Sequence, residues 1–185
     1  MGRVTASDAS RIFTSDFSLR TGDMPKTYIY EKLAEVRLGE PIAQFYSHQT
    51  EEGQIAEDEA RKWFAFSSDH KITNAGFIVH DDGRCGCSPD ALLDDEGGLE
   101  IKCCQPTNHV RYLLEGKVPT EYNPQVQFSL YVTGRKWWKF VSYRRRFPAL
   151  VVTVERDEEI CAKIATGLEA FYKMYDAALA KLKAL

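Results

Sequence analysis

The chain has 185 residues, a formal net charge of −3 and 44% apolar side chains, the balance of a water-soluble domain with chain enough for one core. Its apolar stretches, such as "FPALVVTV", are too short to cross a bilayer, and "MGRVTASDASRIF" has no apolar leader core, so a cytoplasmic protein with no membrane segment is expected. Five cysteines, an odd number in a chain without a leader, argue against a disulfide framework.

In chain order, "TASDASRIF" reads as a first helix capped by Thr5 or Ser7. "MPKTYIYEKLAEVRLGE" reads as a second, with Pro25 in its first turn and Gly39 at its end. In "QIAEDEARKWFAF" the residues Ile55, Ala56, Ala60, Trp63 and Phe64 recur at helical spacing, which predicts a third helix with one buried face and Glu57 close to it. The period then changes. "AGFIVH", "SPDALL" and "LEIKCC" are short runs separated by turn residues at 81–83 and 94–98, and read as strands. "NHVRYLLEG" and "NPQVQFSLYVTG" read as helices, Pro124 being tolerable in a first turn. "KWWKFVSY" and "ALVVTVER" read as two strands of a hairpin. A long amphipathic helix closes the chain, with Asp157, Glu158 and Glu159 at its positive end. The expected fold is one α/β (α+β) domain over residues 1–185, a central mixed sheet flanked by helices.

Charge is unevenly spread. Arg135, Lys136, Lys139, Arg144, Arg145 and Arg146 form a basic run without acids between them, a candidate nucleic-acid surface or a merely solvated strand end. The acids gather at 51–59, 81–100 and 155–159.

The segment "CGCSPDALLDDEGGLEIKCC" (85–104) carries the densest chemistry. With a turn centred near Glu96, Asp90 would face Lys102, and residue 92 would face Glu100. The two-residue strand period then puts Asp90, Glu100 and Lys102 on one face, and Leu99, Ile101 and Cys103 on the other. Asp90 would lie diagonal to Glu100, roughly 7–8 Å away along the backbone. Two carboxylates among apolar neighbours are costly unless a cation neutralises them. An all-oxygen set suits Mg²⁺, with Mn²⁺ as substitute, rather than Zn²⁺. Such a cation lowers the pKa of water for phosphodiester hydrolysis, and Lys102 would stabilise charge at the phosphate. On these residues alone a plain surface hairpin stays an alternative. Cys85, Cys87, Cys103 and Cys104 offer a rival thiol–metal site, but adjacent Cys103 and Cys104 point to opposite strand faces and Cys-x-Cys is not the usual zinc knuckle.

Four blocks in order give these residues a context. "GRVTAS" (2–7), "GQIAEDEARKWF" (53–64), "CSPDALLDDEGGLEIKC" (87–103) and "PQVQFSLYVTGRKWWKFVSY" (124–143) together resemble the lambda exonuclease family, the YqaJ-like viral recombinases of the PD-(D/E)xK nuclease superfamily. The resemblance implies Mg²⁺-dependent digestion of linear double-stranded DNA from a free 5′ end, giving mononucleotides and a 3′ single strand. It implies Asp90 and Glu100 as metal ligands with the Ile101 carbonyl, Glu57 as a further acidic ligand, Lys102 as the catalytic lysine, and Gln125 positioning water or phosphate. Ser7 matches a serine near the 5′-terminal phosphate, at a helix start suited to anions. The family's arginine before the opening glycine has no counterpart, since Met1 precedes Gly2 and Arg3 is not the matching position. Arg144, Arg145 and Arg146 would bind DNA phosphates. A homotrimer ring and a single-strand annealing partner are also implied. The competing readings are another PD-(D/E)xK nuclease (an endonuclease or junction resolvase), or a non-catalytic DNA-binding or thiol–metal module.

Overall fold

The computed structural model describes residues 2–40, 42 and 51–185, the last stretch with side chains from Ile55 onward. Strand β1 (Val4–Thr5) leads into a single 3-10 turn at Ala6–Asp8 and the four-residue α1 (Ala9–Ile12). The first expected helix is therefore two short pieces, and neither Thr5 nor Ser7 caps it. The Thr5 hydroxyl instead donates to Asp8 Oδ2 at 2.9 Å, an oxygen that also accepts from Tyr28 at 3.2 Å. α2 (Asp23–Leu38) ends at Gly39, whose φ of 79° is a left-handed cap that glycine adopts without strain. α3 spans Glu51–Ser67.

Two sheets follow. β3 (Ile78–Val79), β4 (Cys85–Cys87) and β1 form a small one in the order β1-β4-β3. The larger takes β2 (Ile72–Thr73), β5 (Ala91–Leu93), β6 (Gly97–Lys102), β7 (Trp137–Ser142) and β8 (Leu150–Glu155) in the order β2-β5-β6-β7-β8. β6 and β7 are parallel and the other pairs of this sheet antiparallel, so it is mixed. α4 (Pro106–Glu115) and α5 (Asn123–Thr133) form the crossover that parallel pairing requires. α6 (Glu158–Lys183) begins where expected: Asp157 accepts from the N–H groups of Glu159 and Ile160 at 2.8 and 3.1 Å.

Helices cover both faces of the large sheet. Ala60 and Phe64 of α3 pack on Ala91, Leu93, Leu99, Ile101 and Val141. Ile55, expected on that buried face, is instead exposed. Val126 and Leu130 of α5 pack on Trp138 and Phe140 across the opposite face. The largest cluster joins α1, α2, α5 and α6 around Ile12, Phe13, Tyr28, Phe128 and Phe171. No helix among the described residues is long and apolar enough to cross a membrane.

The hairpin register departs from expectation. Ala91 pairs with Leu99 and Leu92 with Gly98, so the turn is centred at Asp95, not Glu96. Gly97 and Gly98, read as turn residues, are buried strand residues. They are small because the indoles of Trp137 and Trp138 lie over them. A Cβ at Gly97 would come 2.1 Å from Trp137, and one at Gly98 2.2 Å from Trp138. The slip is two residues, and a two-residue slip keeps every side chain on its face. Asp90, Glu100 and Lys102 thus stay together, with Asp90 beside Glu100 instead of diagonal to it.

Candidate active site

The parallel pairing of β6 and β7 sets Lys102 beside Ser142. The site forms at this end, where the turn after β7 brings Arg144–Arg146 next to the end of β6. Tyr143 N–H donates to the Lys102 carbonyl at 2.9 Å.

Glu100 projects toward α5 and is only 4% exposed. Its Oε1 accepts from Lys102 Nζ at 2.7 Å and from Gln125 Nε2 at 2.6 Å. Pro124 in the first turn of α5 leaves Gln125 at the helix start, where its amide reaches the carboxylate. Burial pushes the Glu100 carboxyl up from its ordinary value; Lys102 partly opposes this and the charge of Asp90 adds to it. Burial works against the charged Lys102, but the charge and hydrogen bond of Glu100, aided by Asp90, outweigh it and hold the ammonium protonated. Lys102 Nζ also lies 5.2 Å from the centre of the Tyr122 ring.

Asp90 lies just before β5. Its N–H donates to Leu99 O at 3.0 Å and its Oδ2 accepts from Ile101 N–H at 2.6 Å. Its other oxygen, Oδ1, accepts from Arg61 Nη2 at 2.5 Å, while Arg61 Nη1 donates to the Asp90 carbonyl at 2.6 Å. Arg61 is one helical turn beyond Glu57 on α3. Sequence reasoning passed over it, although the four-residue spacing puts both on one helix face. Glu57 reaches the same neighbourhood. The Cys103 thiol, whose Sγ donates to Ala56 O at 3.4 Å, is pushed up to about 11 by burial and then by the charges of Glu57, Cys104 and Asp90, with Arg144 opposing. One thiol therefore feels Glu57, Asp90 and Arg144 together.

Arg144, Arg145 and Arg146 line an open cleft of about 380 Å³ with Ile55, Ala56, Glu59 and Tyr143. Arg145 Nη1 lies 3.6 Å from Glu59 Oε1. The rest of the basic run is elsewhere. Arg135 donates to the carbonyls of Leu93, Asp94 and Gly97, clamping the hairpin turn. Lys136 pairs with Glu96 and Lys139 donates to Thr153. Arg135 and Lys136 precede the six-residue β7, Lys139 lies within it and Arg144–Arg146 follow it, so about 20 Å of strand separates the two ends of the run. A continuous basic surface over 135–146 is thus not formed. Ser7 is exposed in the 3-10 turn, which packs on α5, and its Oγ is 3.1 Å from Thr5 Oγ1. Arg3 is engaged at the hairpin between β3 and β4, donating to Gly83 O at 2.7 Å.

The donors fit a hard divalent cation: carboxylates of Asp90, Glu100 and Glu57 and the backbone carbonyl of Ile101, around a buried carboxyl whose charged form burial disfavours. The three carboxylates are not gathered within 4.8 Å of one another in this conformation. Among the described residues, possible ligand atoms come that close at His80 and Asp82 of the β3–β4 turn and Cys85 at the start of β4. Burial pushes Cys85 and Cys87 up to about 12, so both are thiols, and each is a core residue. Cys103 and Cys104 are half-buried and follow directly on the end of β6, and the four cysteines do not make a thiolate cage.

A mixed sheet carrying Asp90, Glu100 and Lys102 at one strand end, with helices on both faces, is the core of the PD-(D/E)xK nucleases. Within that class the chain belongs to the YqaJ-like viral recombinase domain family, whose sequence profile matches residues 1–136. Its structure is similar to that of an alkaline exonuclease from Laribacter hongkongensis (LHK-Exo), with a TM-score of 0.87 at 30% identity over 99% of this chain and 92% of that one. The same values hold for LHK-Exo in complex with dAMP. A phage-related exonuclease from Haemophilus somnus 129PT shares the fold, with a TM-score of 0.76 at 16% identity over 97% of this chain and 96% of that one. Among curated proteins none matches the chain by sequence.

Proposed function

We propose that the chain is a Mg²⁺-dependent 5′→3′ exonuclease that degrades linear duplex DNA to mononucleotides and leaves a 3′ single strand. The observation that carries this reading is the buried Glu100, bonded to Lys102 and Gln125 on one oxygen, beside Asp90 in a fold matching an alkaline exonuclease along nearly its whole length. LHK-Exo's complex with dAMP, a nucleoside monophosphate, supports the product class.

Asp90, Glu100, Glu57 and the Ile101 carbonyl would hold the cation, with Mn²⁺ a substitute. When bound, it would supply Lewis-acid chemistry, lowering the pKa of water and neutralising phosphate charge. Lys102, kept protonated by Glu100, adds positive charge where the phosphate becomes more negative. Gln125 holds Glu100 Oε1 in place and orients the attacking water or the phosphate. The cleft beneath Arg144–Arg146 accepts backbone phosphates through the planar guanidinium donors, and Ser7 takes the 5′-terminal phosphate. A homotrimeric ring and a single-strand annealing partner, in a phage-type recombination setting, complete the proposal.

The test compares linear and covalently closed duplexes with Mg²⁺ or EDTA. Digestion of the linear form alone, dependent on Mg²⁺ and lost in Asp90→Asn, is expected. A nicked or linearised circle would instead support an endonuclease of the same core.

A further inference from the structure

Arg61 touches the carboxylate of Asp90, a proposed metal ligand, and its contact is two-pronged. One prong holds the Asp90 main-chain carbonyl and the other the Oδ1 oxygen. Oδ2 is committed to the Ile101 N–H at 2.6 Å. Each oxygen keeps a second lone pair, so the carboxylate can still take a cation, and what opposes the cation is the positive charge of Arg61 beside Oδ1. The pairing has a clear electrostatic reason. Without a cation, Asp90 and Glu100 repel, which is part of why the Glu100 carboxyl is raised, and Lys102 is spent on Glu100. Arg61 supplies the second positive charge.

The site also favours release. The Arg61 side chain is 46% exposed and Asp90 21%, so the guanidinium can return to water at small cost. Arg61 and Lys62 rim a recess of about 220 Å³ with Asn74 and Asp90, leaving room for the side chain to move. The same planar fork that fits a carboxylate fits a phosphate.

We propose that Arg61 is an exchangeable counter-ion of Asp90: it holds Oδ1 in the metal-free protein, yields it to the divalent cation, and passes to a phosphate of the DNA. Arg61 is thus a positioning residue in the absence of substrate and a phosphate ligand in its presence. The inference rests on the metal-dependent nuclease reading.

Its test measures Mn²⁺ affinity of the full chain by electron paramagnetic resonance, without DNA. Arg61→Ala and Arg61→Gln should each bind Mn²⁺ about five-fold more tightly, the worth of an exposed ion pair near 1 kcal/mol, with Arg61→Lys between them and wild type. A merely structural arginine gives the opposite sign, because losing it would loosen Asp90 and weaken the metal. Duplex DNA affinity, measured with Ca²⁺ in place of Mg²⁺, should fall several-fold in Arg61→Ala and recover partly in Arg61→Lys. Mn²⁺ binding unchanged or weaker in both neutral variants would overturn the exchange, and unchanged DNA affinity would overturn the phosphate role. Asp90→Asn separates the two levels: if it leaves Mn²⁺ binding intact, the metal-site reading itself fails.

Discussion

Lys102→Met isolates the role of charge at the site, since methionine keeps the unbranched stem and removes only the ammonium. Glu100, 4% exposed, would then keep Gln125 but lose its cation. Removing one member of a buried ion pair costs about 3–5 kcal/mol, and Lys102, with a side chain 26% exposed, points to the lower end. Protonation sets a similar ceiling. Keeping a carboxyl of ordinary pKa 4.5 neutral at pH 7 costs about 3.4 kcal/mol. The expected loss is thus about 3 kcal/mol at pH 7, or roughly 6–12 °C in melting temperature for a chain of this size. The sign with pH follows. A carboxyl whose pKa is raised on folding costs nothing below its unfolded value, and the cost grows as pH rises through the window up to the folded value. The deficit of Lys102→Met should therefore nearly vanish near pH 4.5. It should also shrink on adding Mg²⁺, which restores positive charge. Urea melts in EDTA and in Mg²⁺ at several pH values measure this, alongside digestion of linear duplex, where a loss of at least about 100-fold is expected. Equal stability of variant and wild type in EDTA at pH 7, or activity within a few-fold, would refute the reasoning.

Other expectations follow from the same contacts. Gln125→Leu removes a hydrogen bond to a charged group, worth about 1.5–3 kcal/mol, so turnover should fall about 10–100-fold while Mn²⁺ affinity changes less. Gly98→Ala would drive a methyl into Trp138 and should lower stability by about 3 kcal/mol, read from urea midpoints. Cys85 and Cys87 are held at about 12 and Cys103 at about 11, above the ordinary 9.0. The unfolded chain's thiols therefore ionise first, and stability should fall as pH rises from 9 toward 12. Replacing Cys87 by alanine should flatten that fall.

The shared face of the candidate site was legible because a strand has a period of two: the residue types at 90, 100 and 102 share a face in any register that differs by an even number. The register itself was not legible, because Gly97 and Gly98 look like turn punctuation until Trp137 and Trp138 are seen to occupy the space above them. Asp157 was readable as a helix start for the local reason that a cap needs only its own two or three neighbours. The strands Val4–Thr5 and Ile72–Thr73 were not, because two residues carry no periodicity and exist only through partners far along the chain. Arg135 shows the limit of charge counting. It reads as part of a DNA-facing run, yet its guanidinium is spent on three backbone carbonyls of the hairpin turn. Arg61 was hidden differently, since an arginine in a helix gives no sign of its partner until Asp90, 29 residues away, is folded against it.

The most direct test of the account is digestion of a linear duplex labelled at the 5′ or the 3′ terminus, with Mg²⁺ and with the 5′ phosphate present or absent. The account predicts early release of the 5′ label as a mononucleotide, retention of the 3′ label on a shortening-resistant single strand, and slower digestion when the 5′ phosphate is missing. Early release of the 3′ label, or internal fragments from both substrates, would contradict it.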